Sequence, residues 1–247
     1  MNVERLGLVG MALVAGLLAS GCSERSSRSV EPRNEPPGTG QLLKRKVHGR
    51  ALEGNALGDP ADQDVHVYLP PGYASSTERR YPVLYLLHGF NGSPEMWTSS
   101  LQEVKELIVV MPNGANRLGG SFYLDSAVTG GWEDFIVREV VGYVDANYRT
   151  LAQPASRGIA GHSMGGYGAL RLGMRHPDVF GAVYAMAPCC LALEEDLGPD
   201  NPAWGRLATF KDRAQLEAAA RQGEFYPLLL SALAAAVSPN PHHPPLL

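Results

Sequence analysis

The stretch RGIAGHSMGGYGALRLGMRHPDVFGAV, residues 157–183, decides the fold. It opens on a short apolar strand signal, Gly158-Ile159-Ala160, and passes through Gly161-His162-Ser163-Met164-Gly165. A stretch rich in small residues follows, Gly165-Gly166-Tyr167-Gly168-Ala169, and Tyr167 to Arg175 reads as a helix ended by His176-Pro177. Val183-Tyr184-Ala185-Met186 then makes another strand. Strand, turn, helix and strand form one parallel α/β unit. The turn matches G-x-S-x-G, a corner that can expose a serine nucleophile. Such a corner forces the serine into a strained backbone, and flanking glycines let the helix approach the strand. Ser163 then projects at the carboxyl edge of the sheet, near a helix N-terminus that favours an anion. The plainer alternative is a Gly-rich turn with a structural serine.

Working outward, the same architecture recurs. Val65-His66-Val67-Tyr68-Leu69 alternates as a half-buried strand does and stops at Pro70-Pro71-Gly72. Val83-Leu84-Tyr85-Leu86-Leu87 and Leu107-Ile108-Val109-Val110-Met111 are apolar throughout, as strands covered on both faces are. Between Trp132 and Tyr148, apolar residues (Trp132, Phe135, Ile136, Val140, Tyr143, Val144) recur at helical spacing. The expectation is one α/β domain, residues 41–247, with a mostly parallel sheet and helices on both faces.

A serine attacking an ester needs donors for the developing oxyanion. The N–H of Met164, just after Ser163, is one. His88-Gly89-Phe90-Asn91-Gly92-Ser93 directly follows the buried strand Val83–Leu87, and the Phe90 N–H is the expected second donor. A strand-ending turn without that role is the alternative. Together with residues 157–183, YPVLYLLHGFNGS (81–93), VVMPNG (109–114), SFYLDS (121–126) and WEDFIVREVVGYVDANYRT (132–150) resemble the esterase D family of α/β-hydrolases. That family includes feruloyl and enterochelin esterases, S-formylglutathione hydrolase and mycolyltransferases. The resemblance runs from about Gln41 to Pro188. It implies an α/β-hydrolase fold, Ser163 as nucleophile, Phe90 and Met164 amides as the oxyanion hole, no cofactor or metal, and an acid and a histidine following the serine in the chain.

That acid and histidine are the departure. His176 and Asp178 fall about thirteen residues down the elbow helix, near 20 Å from Ser163 at about 1.5 Å per residue. His162 neighbours the serine and is expected to point elsewhere, while His48 and His66 lie on early strands. His242 and His243 sit in a Pro-rich tail that reads as solvated. Glu194, Glu195 and Asp196 could supply an acid, although surface charge before Pro202 is the simpler reading. After Pro202 the pattern is helical, with no later strand. The expectation is a sheet lacking its last strands, from a truncated, frameshifted or partial sequence or a degenerate family member. A sheet edge left unpaired would favour aggregation. Tyr123 and Trp132 are compatible with phenolic or glycosidic esters, though such aromatics are more often core residues. Adjacent cysteines such as Cys189-Cys190 rarely bridge, because the peptide between them is strained, so a buried structural role is expected.

The N-terminus reads differently. Leu6 to Leu18 is a continuous apolar run, too short to span a membrane but fitting a signal-peptide core. Ala19-Ser20-Gly21-Cys22 resembles a bacterial lipobox, which implies cleavage before Cys22 and lipidation of its thiol; a plain secretory signal is the alternative. The resemblance implies that residues 1–21 are a lipoprotein signal, and 22–40, with Val30 as the only large apolar side chain, reads as a flexible tether. This predicts an envelope protein held to a membrane by its lipid. A formal net charge of −4 gives no basic field for nucleic acid. The expected function is a serine carboxylic ester hydrolase acting on a small-molecule or glycan ester. An acyltransferase, with a sugar or lipid hydroxyl in place of water, shares the first half-reaction; an inactive envelope-binding protein is the reading of a different class.

Overall fold

The computed structural model describes residues 39–192 and 198–242. Cys22, the expected leader, the expected tether up to residue 38, Glu194, Glu195, Asp196 and His243 lie outside the described residues. Six strands form one sheet: β1 Gln41–His48, β2 Asp62–Leu69, β3 Val83–Leu87, β4 Ile108–Pro112, β7 Arg157–His162 and β8 Ala182–Met186. Their order is β1-β2-β4-β3-β7-β8. β1, β2 and β4 pair antiparallel, whereas β4, β3, β7 and β8 run parallel. The short strands β5 (Asp125–Ser126) and β6 (Gly130–Gly131) make a separate antiparallel pair.

Side chains of β3 alternate between two cores, as the period of two requires. Val83, Tyr85 and Leu87 face one cluster with Ile108, Val110 and Ile159; Leu84 and Leu86 face the other with Val109, Met111 and Ala160. Both sets are fully buried, which is why β3 and β4 are apolar at every position but the terminal proline of β4. The first face is covered by two helices. One is α1, formed by Trp132–Asp134, a π-helical stretch Phe135–Val140, and Val141–Asn147; it buries Phe135, Ile136, Val140 and Val144. The other is α2, Met164–Arg175, which buries Ala169 and Leu172. The second face is closed by a 3-10 segment, Pro94–Glu103, through Trp97 and Leu101. Both sheet edges are less buried: β1 carries Lys44, Arg45 and Lys46 outward, and Val183 of β8 is exposed.

After β8 the described chain is helical: α3 Pro202–Leu207, α4 Arg213–Arg221 and α5 Phe225–Val237. These helices build a satellite cluster of Ala203, Leu207, Leu216, Leu228 and Leu230, against which Phe90 packs. α5 also docks on the main core through Leu229 and Leu233, and the Ser126 hydroxyl donates to the Ala235 carbonyl at 2.6 Å. A groove of about 670 Å³, lined by Leu42, Tyr68, Leu101 and Lys105, shares no residue with the Ser163 turn.

Candidate functional site

Ser163 occupies the N-cap of α2 with φ 55° and ψ −117°, a left-handed backbone that a non-glycine residue adopts at a cost of about 1–3 kcal/mol. Three backbone bonds hold it there. Its N–H donates to the Met186 carbonyl at 3.0 Å, and its carbonyl accepts from Tyr167 N–H at 2.9 Å and Cys189 N–H at 3.3 Å. The glycines explain how α2 comes so close. A Cβ on Gly165 would meet the Leu87 carbonyl carbon at 2.6 Å and the His88 carbonyl oxygen at 2.7 Å. Gly161 abuts the backbone of Gly165 in turn. Backbone atoms cannot rotate away as a side chain could, so glycine is required at both places.

β3 and β7 pair in parallel with Leu87 opposite Gly161, so the segments leaving their carboxyl ends meet two residues on. A Cβ placed on Gly89 would lie 3.6 Å from Ser163 Cβ and 3.7 Å from His162 Nδ1. His88 fixes this loop. It is fully buried, its Nδ1 donates to the Gly89 carbonyl at 2.8 Å, and its Nε2 accepts from Gly114 N–H at 2.8 Å, with Asn113 Oδ1 a longer 3.3 Å from the same nitrogen. Because Gly114 can only donate, the imidazole is neutral with its proton on Nδ1. Burial pushes its pKa down, with the Gly89 bond opposing. Gly92 N–H also donates to the Gly89 carbonyl, at 3.0 Å. A planar trans peptide points its C=O and N–H in opposite directions. Pinning the Gly89 carbonyl toward His88 therefore turns the Phe90 N–H the other way. Among the described residues, neither the Phe90 nor the Met164 N–H has an acceptor.

An aromatic wall borders the loop. Phe90 packs edge-on against Phe225 (centroids 5.4 Å apart) and beside Phe122 (6.1 Å), which meets Tyr167 at 6.2 Å. Phe225 and Tyr226 remain exposed. Tyr123 and Trp132 are not part of this wall. Both are fully buried; the Tyr123 hydroxyl donates to the His88 carbonyl at 3.0 Å and Trp132 Nε1 to the Thr129 carbonyl at 2.8 Å.

The histidines are dispersed. His176 follows the last residue of α2, and its Nε2 lies 2.8 Å from Glu133 Oε1, which Arg175 also reaches at 2.9 Å; Arg171 approaches Oε2 at 3.5 Å. Burial alone would raise the Glu133 pKa, but these partners outweigh it and hold the carboxyl below its ordinary range. Twelve residues of α2, about 18 Å at 1.5 Å each, separate this cluster from Ser163. His48 sits between Asp62 (2.8 Å) and Glu53 (2.7 Å), and His66 on β2 faces Glu95 at 3.4 Å. His242 is exposed. Among the described residues, no imidazole or carboxylate hydrogen-bonds Ser163 Oγ, His162 included.

Sequence reasoning missed two contributors. The anchoring role of His88 depends on Gly114, 26 residues on, although a histidine placed at the end of an apolar strand before a glycine was a visible signal. The contact of Phe225 with Phe90 has no local signature at all.

A mostly parallel sheet, helices on both faces and a strained serine at a strand-to-helix corner define the α/β-hydrolase class of enzymes. Within it, the chain belongs to the esterase family described as "Putative esterase", whose model matches residues 56–226. It is 36% identical over 119 residues to Esterase Rv1288 of Mycobacterium tuberculosis, covering 45% of this chain and 26% of that protein. It is 30% identical over 166 residues to S-formylglutathione hydrolase of Arabidopsis thaliana, covering 58% and 55%. Among solved structures, a ferulic acid esterase superposes with a TM-score of 0.52 at 30% identity, covering 61% of this chain and 60% of that one. A fluorophosphonate-binding serine hydrolase of Staphylococcus aureus shares the fold at a TM-score of 0.54 and 24% identity, covering 66% and 64%. The chain spans just over half of the plant hydrolase and about a quarter of the mycobacterial esterase.

Proposed function

We propose that the chain is a serine carboxylic ester hydrolase that works through an acyl-enzyme on Ser163. The observation that carries this reading is the left-handed Ser163 backbone, wedged between β7 and α2 and facing the Gly89 loop. Ser163 Oγ attacks the ester carbonyl carbon, and its proton leaves to a base. The carbonyl oxygen becomes an oxyanion between the Phe90 and Met164 N–H groups, which have no other acceptor among the described residues. Collapse breaks the C–O bond to the alcohol and leaves the acyl group on Oγ; water then releases the acid. Phe90, Tyr167 and Phe225, backed by buried Phe122, favour an apolar or aromatic group beside the scissile bond. The base and its acid partner are left unassigned: among the described residues no imidazole or carboxylate hydrogen-bonds Ser163 Oγ, and Glu194, Glu195, Asp196 and His243 lie outside the described residues. The apolar run Leu6 to Leu18 and Cys22 support lipid anchoring at the cell envelope as part of the same proposal.

A second reading, an envelope protein that binds esters without turnover, is favoured by the lack of an imidazole on Ser163 among the described residues. One experiment separates the two. A fluorophosphonate probe reacts only with an activated serine, so wild type should label and Ser163→Ala should not. Absence of labelling in the wild type would support the binding protein and refute the hydrolase. Product analysis with an added alcohol acceptor then distinguishes hydrolysis from acyl transfer.

A further inference from the structure

The two cysteines behind the elbow carry an inference that stands whether or not Ser163 turns over. Cys190 is buried in the main core and Cys189 is half-buried beside it, with their Sγ atoms 3.1 Å apart. They end the turn Ala187-Pro188-Cys189-Cys190, in which Ala187 (φ 40°) and Cys190 (φ 61°) both have left-handed backbones. The turn is tied to the serine, because the Cys189 N–H donates to the Ser163 carbonyl at 3.3 Å, and Ser163 N–H donates to Met186 just ahead of it. Tyr167, whose own N–H bonds the Ser163 carbonyl, packs at the margin of the same cluster.

We propose that Cys189 and Cys190 are a reversible thiol-modification site that low-molecular-weight disulfides close to a vicinal disulfide, shifting the backbone that holds Ser163. The half-buried Cys189 is the entry point. Its thiolate attacks one sulfur of the small disulfide and expels the other half as a thiolate. The Cys190 thiolate then attacks the Cys189 sulfur of that mixed disulfide and expels the second half. The pair loses two protons and two electrons, and the small disulfide gains them as two thiols. Cα atoms across one trans peptide are only about 3.8 Å apart, below the roughly 4.4–6.8 Å usual for a disulfide. Ring closure must therefore rotate the peptide between the cysteines, and the Cys189 N–H bond to Ser163 lies at the start of that ring. The same strain makes the bond readily reducible, so the expected state follows the thiol–disulfide balance around the protein rather than being permanently locked.

The test treats the full chain with oxidised glutathione and maps the tryptic segment 176–206, which holds both of these cysteines and excludes Cys22. The expected product is this segment lighter by two hydrogen atoms, free of glutathione and restored by dithiothreitol. Cys190→Ser should instead keep a stable glutathione adduct on Cys189. In the closed form, the Cys189 amide should exchange its hydrogen at least about tenfold faster than in the reduced chain. Wild type that retains glutathione on Cys189, leaves both thiols unreacted or pairs either with Cys22 would overturn the site. A closed ring with unchanged amide exchange would overturn its link to the Ser163 turn.

Discussion

Replacing His88 separates what its two ring nitrogens hold. In His88→Ala, the Gly89 carbonyl keeps the Gly92 N–H, but the Gly114 N–H loses its acceptor inside the protein. An orphaned buried amide costs about 1–3 kcal/mol, and in a domain of this size each kcal/mol lowers Tm by roughly 2–4 °C. The Gly89–Phe90 peptide, held by one bond instead of two, aims its N–H less well. Outright loss of an oxyanion donor costs about 10²–10³ in rate. A donor that is misaimed but still partly held should cost less, about 10- to 100-fold. The assay is the rate of fluorophosphonate labelling and of small-ester hydrolysis at 25 °C, with Tm measured in parallel. Two further variants divide the effect. His88→Asn places an amide N–H near Nδ1 and should retain most of the rate while losing stability. His88→Gln reaches toward Gly114 with its carbonyl and should show the reverse. If His88→Ala stays folded and labels within twofold of wild type, the peptide-pinning argument is wrong.

Because the folded His88 pKa lies below its ordinary 6.5, the unfolded chain takes up a proton that the folded chain refuses as pH falls through that value. Stability should therefore decline from pH 6.5 downward to the folded pKa; His88→Gln should flatten that decline in denaturant titrations, leaving the share due to buried His66, whose pKa burial also lowers. Gly165→Ala drives a methyl into the Leu87 and His88 backbone, an overpacking worth about 1–3 kcal/mol or more, so a lower Tm and weaker labelling should appear together. Ser163→Gly removes the left-handed penalty and should raise stability by about 1–3 kcal/mol while abolishing labelling, which chemical denaturation would reveal. Glu133→Gln strips the carboxylate from Arg171, Arg175 and His176 and should cost about 1–3 kcal/mol at pH 7. The difference should vanish as pH falls through the depressed Glu133 pKa, because the carboxylate contributes only when ionised.

What could be read from sequence follows the range of the interactions. Val83–Leu87 declares itself because every residue is apolar and both faces are covered. Residues 161–165 declare the corner because the glycines answer a steric demand within a few positions. The sheet order is another matter: nothing in β4 says that it lies between β2 and β3, since that depends on pairing across the whole domain. β1 carries three consecutive basic side chains, which hide a strand that is real but exposed at the edge. The helical spacing from Trp132 was correct, yet the π-helical stretch Phe135–Val140 leaves no mark on it. The placement of Phe90 and Met164 follows from strand ends and could be anticipated, whereas the bracing of Phe90 by Phe225 joins residues 135 positions apart in the chain.

The register of β3 on β7 also bears on how the chain acquires competence. Leu87 and Gly161 face one another across 74 residues of sequence, with all of β4 and α1 between them. Local helices form early, but this pairing has to wait for a long loop to close. The loop that would receive negative charge and the serine that would create it therefore meet only when the central strands have zipped. A partly folded chain would hold both halves apart, with its serine turn still unstrained. Probe reactivity at Ser163 would then serve as a clock for the final stage of folding, and chains released too early would be silent rather than indiscriminately reactive.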